Sequence, residues 1–197
     1  GLFAALASFI GSNTLTDAGF GEAFRRMMQA LVRFDHVVVF AYSGSERPID
    51  LYSTFDRDEH IVFVALYQVG PYLLDPFYHT ARERREGVFR MRELAPDRFF
   101  SSEYYRSYYV QTGLAEEIGF FVPTSEGITV VLSLMRREER GPFPASEFSL
   151  LCKVEPLVSA MVRHYCVRLA QRFSGTSSRS RRRAKPAGAS RTTVAVW

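Results

Sequence analysis

Apolar residues recur at helical spacing near both ends of the chain. Near the amino end they are four, three, four and three positions apart, with arginines between them, which predicts an amphipathic helix. Its apolar positions are Phe20, Phe24, Met27, Leu31 and Phe34. Near the carboxyl end, a second pattern of this kind predicts a long helix from Pro144 or Ser146 to Phe173, bent at Pro156.

The middle of the chain carries β-type patterns interrupted by helical ones. Two β-branched and aromatic runs on either side of the turn at Ser43-Gly44-Ser45 predict a hairpin. The predicted strands cover residues 36–42, 49–55, 88–94, 117–122 and 128–135, and the predicted helices between them cover 56–69, 75–87 and 101–112. We therefore expect an α/β (α+β) fold in which a central, mostly antiparallel sheet of about five strands is flanked by helices and followed by a long C-terminal helix.

Charge divides the chain into a folded body and a tail. The formal net charge is +4, but residues 174–197 contribute six positive charges and no acid, so that residues 1–173 carry −2. We expect residues 1–173 to form one domain and residues 174–197 to form a basic disordered tail, since periodicity ends there and small, polar and basic residues dominate. The mildly acidic body offers no broad basic face for nucleic-acid phosphates.

No apolar run approaches the roughly 18 residues of a membrane-spanning helix. The apolar stretch at residues 2–10 lacks a preceding basic region and a convincing cleavage site, so we interpret it as a packed helix and not as a signal peptide. These observations predict a cytoplasmic protein without a membrane partner.

Motifs of catalytic and cofactor chemistry are not found in the sequence: it has no phosphate-binding loop, nucleophile elbow or HExxH. The four histidines lie on different predicted elements, without the spacing of metal ligands. Glu116 and Glu117 stand just before a predicted strand, and we interpret them as a solvated pair whose side chains point to opposite sides. We therefore expect no enzyme activity, no metal site and no cofactor.

Aromatic residues with polar tips are concentrated between Asp58 and Val110, in a chain with ten tyrosines and seventeen phenylalanines. Such side chains line pockets for small organic ligands, and they also fill ordinary cores, so both interpretations stay open. Asp75 also has two interpretations, which are compatible with each other. Its carboxylate accepts a hydrogen bond from a ligand amide, or it only caps the helix that begins at Pro76.

The order of the predicted elements is helix, hairpin, helix pair, strand, helix, two strands and long helix. This order resembles the GAF-like sensor domains that precede a helix-turn-helix module in LuxR-type transcription regulators, over roughly residues 3–173. Local strings that are similar to that group are RPIDLYSTF (47–55), YLLDPFY (72–78), DRFFSSEYYRSYY (97–109), GLAEEIGFFVP (113–123) and ITVVLSLMR (128–136).

The resemblance implies a ligand-binding role for particular residues. In autoinducer-binding members, the aspartate of an Asp-Pro pair similar to Asp75-Pro76 binds the ligand amide, and a serine-containing final strand is similar to residues 132–134. The family pocket also uses tryptophan, whereas this chain has only Trp197, and Leu66 and Val62 stand at the aligned aromatic positions, which disfavours an acyl-homoserine lactone. The candidate ligand-binding residues are Phe40, Tyr42, Tyr72, Asp75, Phe77, Tyr104, Tyr108 and Ser133.

We therefore expect a domain of a LuxR-type regulator that senses a small organic ligand and forms a homodimer. The long helix is either a dimer seam or connector, or a helix simply packed on the sheet. Nothing after Phe173 has the length or periodicity of a helix-turn-helix module, so DNA is expected to be read only through a module missing from this chain. The alternatives are a ligand-free interaction module filled by its own side chains, and nonspecific nucleic-acid binding through Arg179 to Lys185.

Overall fold

Five strands form one antiparallel sheet at the centre of the fold. The computed structural model describes residues 16–95, 99–124 and 127–166, and the predicted helix at 2–10, the end of the long helix at Phe173 and the tail at 174–197 lie outside them. The strands are β1 (His36–Ser43), β2 (Ile49–Ser53), β3 (Gly87–Arg90), β4 (Leu114–Pro123) and β5 (Ile128–Arg137). They lie in the order β2-β1-β5-β4-β3, and every neighbouring pair is antiparallel. The predicted α+β architecture with a five-stranded sheet is confirmed.

Helices cover both faces of the sheet. The α-helices are α1 (Asp17–Gln29), α2 (Arg57–His60), α3 (Pro76–Arg82), α4 (Met91–Leu94), α5 (Glu103–Ser107) and α6 (Ala145–Tyr165). Less regular turns lie beside them, namely a π-helix at Ile61–Leu66 and 3-10 helices at Tyr67–Val69, Pro71–Leu74, Phe99–Ser101 and Tyr109–Thr112. Among the described residues, no helix is both long and apolar enough to cross a membrane.

Alternation along the strands gives the sheet two different cores. β1 directs Val37 and Val39 towards the face that α1 and α6 cover. It directs Phe40 and Tyr42 towards the opposite face, which the short helices between residues 57 and 112 cover. The second core is rich in phenylalanine and tyrosine, and we call this side of the sheet the aromatic face. Because successive side chains of a strand point to opposite faces, each strand contributes to both cores.

Several elements, α1 and α3 among them, are shorter than their sequence patterns predict, and one strand and one helix show the reasons. The strand predicted at 88–94 ends at Arg90, because the Glu93 side chain accepts a hydrogen bond from the Arg90 N–H (3.3 Å) and α4 begins there. The tyrosine-rich helix predicted at 101–112 is divided at Tyr108, whose backbone is not helical (φ −133°, ψ −62°). The Tyr108 hydroxyl donates to the Phe63 carbonyl (3.3 Å), so a tertiary contact accompanies the break.

A buried ionic cluster holds the beginning of α6 against the sheet. Arg90 Nη1 donates to Glu116 Oε1 (2.7 Å), and Glu116 Oε2 accepts a hydrogen bond from the Phe143 N–H (2.7 Å). The guanidinium of Arg90 also donates to the Phe143 carbonyl (3.2 Å). Arg136 lies over the Phe143 ring (4.1 Å to the centroid) and pairs with Glu147 of α6. Side chains of the adjacent strands β3, β4 and β5 therefore fix the segment that leads into α6.

The interpretation of Glu116 and Glu117 as a solvated pair is wrong. Only 4% and 7% of their surfaces are exposed. Because β4 begins at Leu114 rather than at Glu117, both residues lie inside a strand that is covered on both faces. Glu116 points into the ionic cluster and Glu117 points into the aromatic face, as the alternation of a strand requires.

Replacing Glu116 by glutamine is expected to lower the free energy of unfolding by about 3 kcal/mol, since it removes the buried countercharge of the Arg90 guanidinium and leaves only the half-exposed Glu93, 3.7 Å away. Urea denaturation of the full chain measures this change. Glu86→Gln is the matched control, because it breaks only the exposed pair with Arg163 and is expected to cost less than about 1 kcal/mol. Equal losses in the two variants would contradict a structural role for the buried cluster.

Candidate functional site

A small cavity lies between the aromatic face of the sheet and the short helices. Its volume is about 30 Å³, which is room for one or two water molecules and far less than a typical ligand pocket. Seven of the eight candidate residues line it, namely Phe40, Tyr42, Asp75, Phe77, Tyr104, Tyr108 and Ser133. The other lining residues are Val38, Phe63, Tyr67, Tyr109, Thr112, Leu114, Glu117 and Met135. The structure brings the candidates together, and their role in binding a ligand stays a prediction.

Tyr72, the eighth candidate, does not line the cavity. It is half-buried behind it, with its ring centroid 6.2 Å from that of Tyr67 and 5.1 Å from that of Tyr78. Leu66 and Val62 do not line the cavity either, and Leu66 is exposed. The rings that reach the cavity from this segment belong to Phe63, in the π-helix at Ile61–Leu66, and to Tyr67, which follows it. The wider turn of a π-helix changes which positions face inward.

Asp75 is the centre of a chain of hydrogen bonds. Its Oδ1 accepts from the Phe77 N–H (2.8 Å), so that Asp75 caps α3 as the sequence predicts. Its Oδ2 accepts from the Tyr67 hydroxyl (2.6 Å), which lies 2.9 Å from the Tyr42 hydroxyl. The same carboxylate therefore caps a helix and faces the cavity. A ligand that binds Asp75 Oδ2 has to share this oxygen with Tyr67 or displace the Tyr67 hydroxyl.

Glu117 is a cavity residue that the sequence analysis missed. Burial and, to a smaller extent, the negative charge of Asp75 raise the pKa of Glu117 to about 8, although a hydrogen bond with Ser133 opposes this shift. Burial also raises the pKa of Asp75 to about 6, against the effect of its hydrogen bonds to Tyr67, Phe77 and Tyr104. Near neutral pH the cavity therefore contains one mostly ionised carboxylate and one mostly protonated carboxylic acid.

The tyrosine hydroxyls around these carboxyl groups are hydrogen-bond donors at physiological pH. Burial, reinforced by the charge of Asp75, raises the pKa of Tyr67 and Tyr104 well above its ordinary value, and Tyr42 behaves in the same way. Burial has the same effect on the pKa of Tyr108. The polar part of the site thus consists of two carboxyl groups and a set of neutral phenols.

Two irregularities of β4 shape the wall of the cavity. The pairing of β4 with β5 shifts between Leu114 and Glu116, and this bulge places Leu114 on the same face as Glu117. At Gly119, a Cβ atom would lie 2.7 Å from the ring of Phe121 and 2.8 Å from that of Phe77. Glycine at this position therefore lets Phe77 of α3 pack directly on the strand.

Ionisation of Glu117 is expected to make the fold less stable as the pH rises. The pKa of Glu117 is about 8 in the folded chain and 4.5 for an unperturbed glutamate. The stabilisation that protonated Glu117 gives the fold is therefore complete below pH 4.5 and is lost as the pH rises through 8. The free energy of unfolding of Glu117→Gln minus that of wild type should therefore rise by on the order of 4 kcal/mol between pH 5 and about 8.5. Urea denaturation at a series of pH values measures this difference.

The control for this pH series is Glu46→Gln, which changes an exposed residue in the turn between β1 and β2. Its difference from wild type is expected to stay constant over the same pH range. If the Glu117→Gln difference were also constant, Glu117 would not be the buried acid described above.

Comparisons with known proteins point to regulator domains. No family model matches the chain. The HTH-type transcriptional regulator in the exeN 3′ region of Aeromonas salmonicida is 31% identical over 90 residues, which are 45% of this chain and 45% of that protein. The match therefore spans less than half of the length of that relative.

Solved structures share the fold at low sequence identity. The VqsR LBD domain from Pseudomonas aeruginosa has a TM-score of 0.69 and 22% identity, over 83% of this chain and 94% of that one. CepR2 from Burkholderia cenocepacia has a TM-score of 0.62 and 17% identity, over 86% of this chain and 96% of that one. It is an N-acylhomoserine lactone dependent LuxR family transcription factor. The GAF3 domain of Slr1393 from Synechocystis has a TM-score of 0.51 and 14% identity, over 78% of this chain and 96% of that one. The chain thus has the GAF-like fold of the LuxR-family autoinducer-binding domains, as the sequence resemblance implies.

Proposed function

We propose that this chain is the small-molecule-sensing domain of a LuxR-type transcription regulator. The observation that carries the proposal is the buried polar cavity in the aromatic face, where an ordinary core has apolar side chains. Burying the carboxyl groups of Asp75 and Glu117 costs free energy. Strongly perturbed pKa values of this kind concentrate at functional sites. The fold shared with the VqsR LBD domain and CepR2 supports a sensing role.

A binding role is better supported than a catalytic one. The similar structures are regulator and sensor domains rather than enzymes. No histidine, lysine or cysteine is among the described residues that line the cavity, so the imidazole, amine and thiol groups that often serve as general base or nucleophile are absent from the described part of its wall.

Neighbouring positions of β4 offer a route from the cavity to α6. Glu117 lines the cavity, while Glu116 accepts a hydrogen bond from the Phe143 N–H on the other face of the sheet. A shift of β4 that follows from altered packing around Glu117 would therefore move the hydrogen-bond acceptor that holds the beginning of α6. We propose that ligand binding reaches α6 through this contiguous network.

We further propose that α6 contributes to a homodimer. Its inward face packs on the sheet through Leu151, Val158 and Val162, which are buried. Its outward face carries small exposed side chains, including Cys152 and Ala160, which allow a second helix to approach closely.

A specific observation favours the alternative of a ligand-free interaction module. The free volume of about 30 Å³ means that the side chains of the cavity fill most of it themselves. The second alternative, nucleic-acid binding through Arg179 to Lys185, concerns residues outside the described ranges and stays a prediction.

Ala160→Glu is expected to shift a dimer towards monomer, because two added carboxylates would meet across the proposed helix pair. Sedimentation velocity of the full chain measures the oligomeric state. Ser45→Glu in the β1–β2 turn is the control and should sediment like wild type. A monomer in all three proteins would contradict dimerisation, and an unchanged Ala160→Glu dimer would place the interface elsewhere.

Sensing is tested by thermal unfolding of the full chain with a panel of small amides, lactones, aromatic metabolites and amines. A ligand that binds the folded state at a hundred times its Kd should stabilise the protein by about 2.7 kcal/mol and raise the melting temperature. Asp75→Asn keeps a side chain that can cap α3 and should remove the shift, whereas Asp58→Asn at the exposed start of α2 should retain it. No shift with any compound would favour the ligand-free module.

A further inference from the structure

The charges around the cavity are of one sign. Its described lining contains two carboxyl groups and no arginine, lysine or histidine. Asp75 and Glu117 are 4% and 7% exposed, so solvent stabilises the ionised form of neither carboxyl group. The partners of Asp75 are neutral, namely the Phe77 N–H and tyrosine hydroxyls. An ionised carboxylate without a countercharge in such surroundings is costly, and a positive charge brought by a ligand would remove that cost.

The walls of the cavity are also suited to a positive charge. The ring of Tyr67 lies 5.1 Å from Phe40 and 5.7 Å from Tyr108, and the rings of Tyr104 and Tyr108 are 5.6 Å apart. The negative faces of aromatic rings attract cations within about 6 Å of their centroids, and most strongly where water is excluded. Carboxyl groups and aromatic faces therefore favour the same kind of ligand group.

The size of the cavity selects the chemical class further. An ammonium group is close in size to a water molecule, so the existing volume of about 30 Å³ accommodates the charged head of an amine. A metal ion does not suit the site, because the described residues contain no group of three or more histidine, cysteine or acidic ligands placed to hold one. An anion would be repelled by Asp75. A neutral amide can donate to Asp75, but it leaves the negative charge uncompensated.

We infer that the cavity binds the protonated amino group of a small organic amine, which lies between the carboxyl groups of Asp75 and Glu117 with the tyrosine rings around it. This inference rests on the proposed sensing function and names its ligand class. The ammonium donates to Asp75 Oδ2 in place of the Tyr67 hydroxyl and to the carboxylate of Glu117. Binding then releases the proton of Glu117, because a neighbouring cation favours the charged form of an acid.

Proton release gives the amine a characteristic pH dependence. In the ligand-free chain Glu117 has a pKa of about 8, so the affinity for an amine should rise as the pH increases from 6 to 8. A neutral carbonyl ligand would behave in the opposite way. It would accept a hydrogen bond from the protonated acid and lose affinity over the same range. The direction of the pH effect therefore distinguishes the two ligand classes.

The experiment compares matched probes on one scaffold: phenethylamine, phenethyl alcohol and phenylacetamide, with butylamine, butanol and butyramide as a smaller set. Isothermal titration and thermal unfolding of the full chain are carried out at pH 6, 7 and 8. We expect an amine to bind and its neutral counterparts not to bind. Glu117→Gln should lower amine affinity about tenfold or more and remove its rise with pH, since a hydrogen bond between charged groups is lost.

Glu46→Gln is the matched control, and it should bind the amine like wild type. Circular dichroism and a cooperative urea transition confirm that Glu117→Gln is folded before its affinity is interpreted. Binding of an amide or alcohol that Asp75→Asn abolishes, without binding of either amine, would overturn the inference and leave the sensing function intact. Amine binding that Glu117→Gln does not weaken would overturn it as well. If no probe of any class binds, both proposals fail.

Discussion

The ion pair between Arg90 and Glu116 joins two strands to the residues that begin α6, and Glu117 lies beside it on the opposite face of the same strand. A strand can bury two consecutive acids only if each face of the sheet offsets the free-energy cost of burying the carboxyl group on that face. On the α6 side, the guanidinium of Arg90 and the Phe143 N–H offset this cost. On the aromatic side, the described residues give Glu117 one hydrogen bond, with Ser133, and burial raises its pKa to about 8, which favours the protonated acid near neutral pH. The rest of the site follows from this difference.

The two carboxyl groups of the cavity divide the roles of base and acid between them. Asp75 accepts hydrogen bonds from a backbone N–H and from tyrosine hydroxyls, which stabilise its charged form. Glu117 lacks comparable donors, and the charge of Asp75 disfavours a second charge nearby. In the proposed amine complex, the positive charge of the ligand would therefore replace the proton of Glu117. An apolar core of the same volume would be more stable, but it could not respond to a ligand in this way.

Local patterns predict the scaffold well because the interactions that define it are close in sequence. The β-branched and aromatic run of β1, the apolar spacing of α1 and the Asp75-Pro76 cap each depend on residues a few positions apart. The structure confirms the strand, the helix as far as Gln29 and the cap. The burial of Glu116 could not be predicted in this way, since its partners Arg90 and Phe143 are 26 and 27 residues away. Placing the start of β4 directly after Gly113 would have revealed Glu117. That glycine has a left-handed φ of 63° and ends the preceding 3-10 helix.

A ligand larger than the cavity has to move the helices rather than the sheet, because five paired strands fix the sheet side. The adjoining segment from Ile61 to Leu74 consists of π and 3-10 turns and exposes several apolar side chains, including Val69 and Leu73. One set of its hydrogen bonds to the site runs through the Tyr67 hydroxyl, which contacts Asp75 and Tyr42, and another joins the Phe63 carbonyl to the Tyr108 hydroxyl. A ligand group that takes the place of Tyr67 on Asp75 would therefore remove one of the hydrogen bonds that hold this segment to the site. A ligand shifts an equilibrium only through its different affinities for two states, and we propose that the exchange at Tyr67 is the step that gives an amine a different affinity for each.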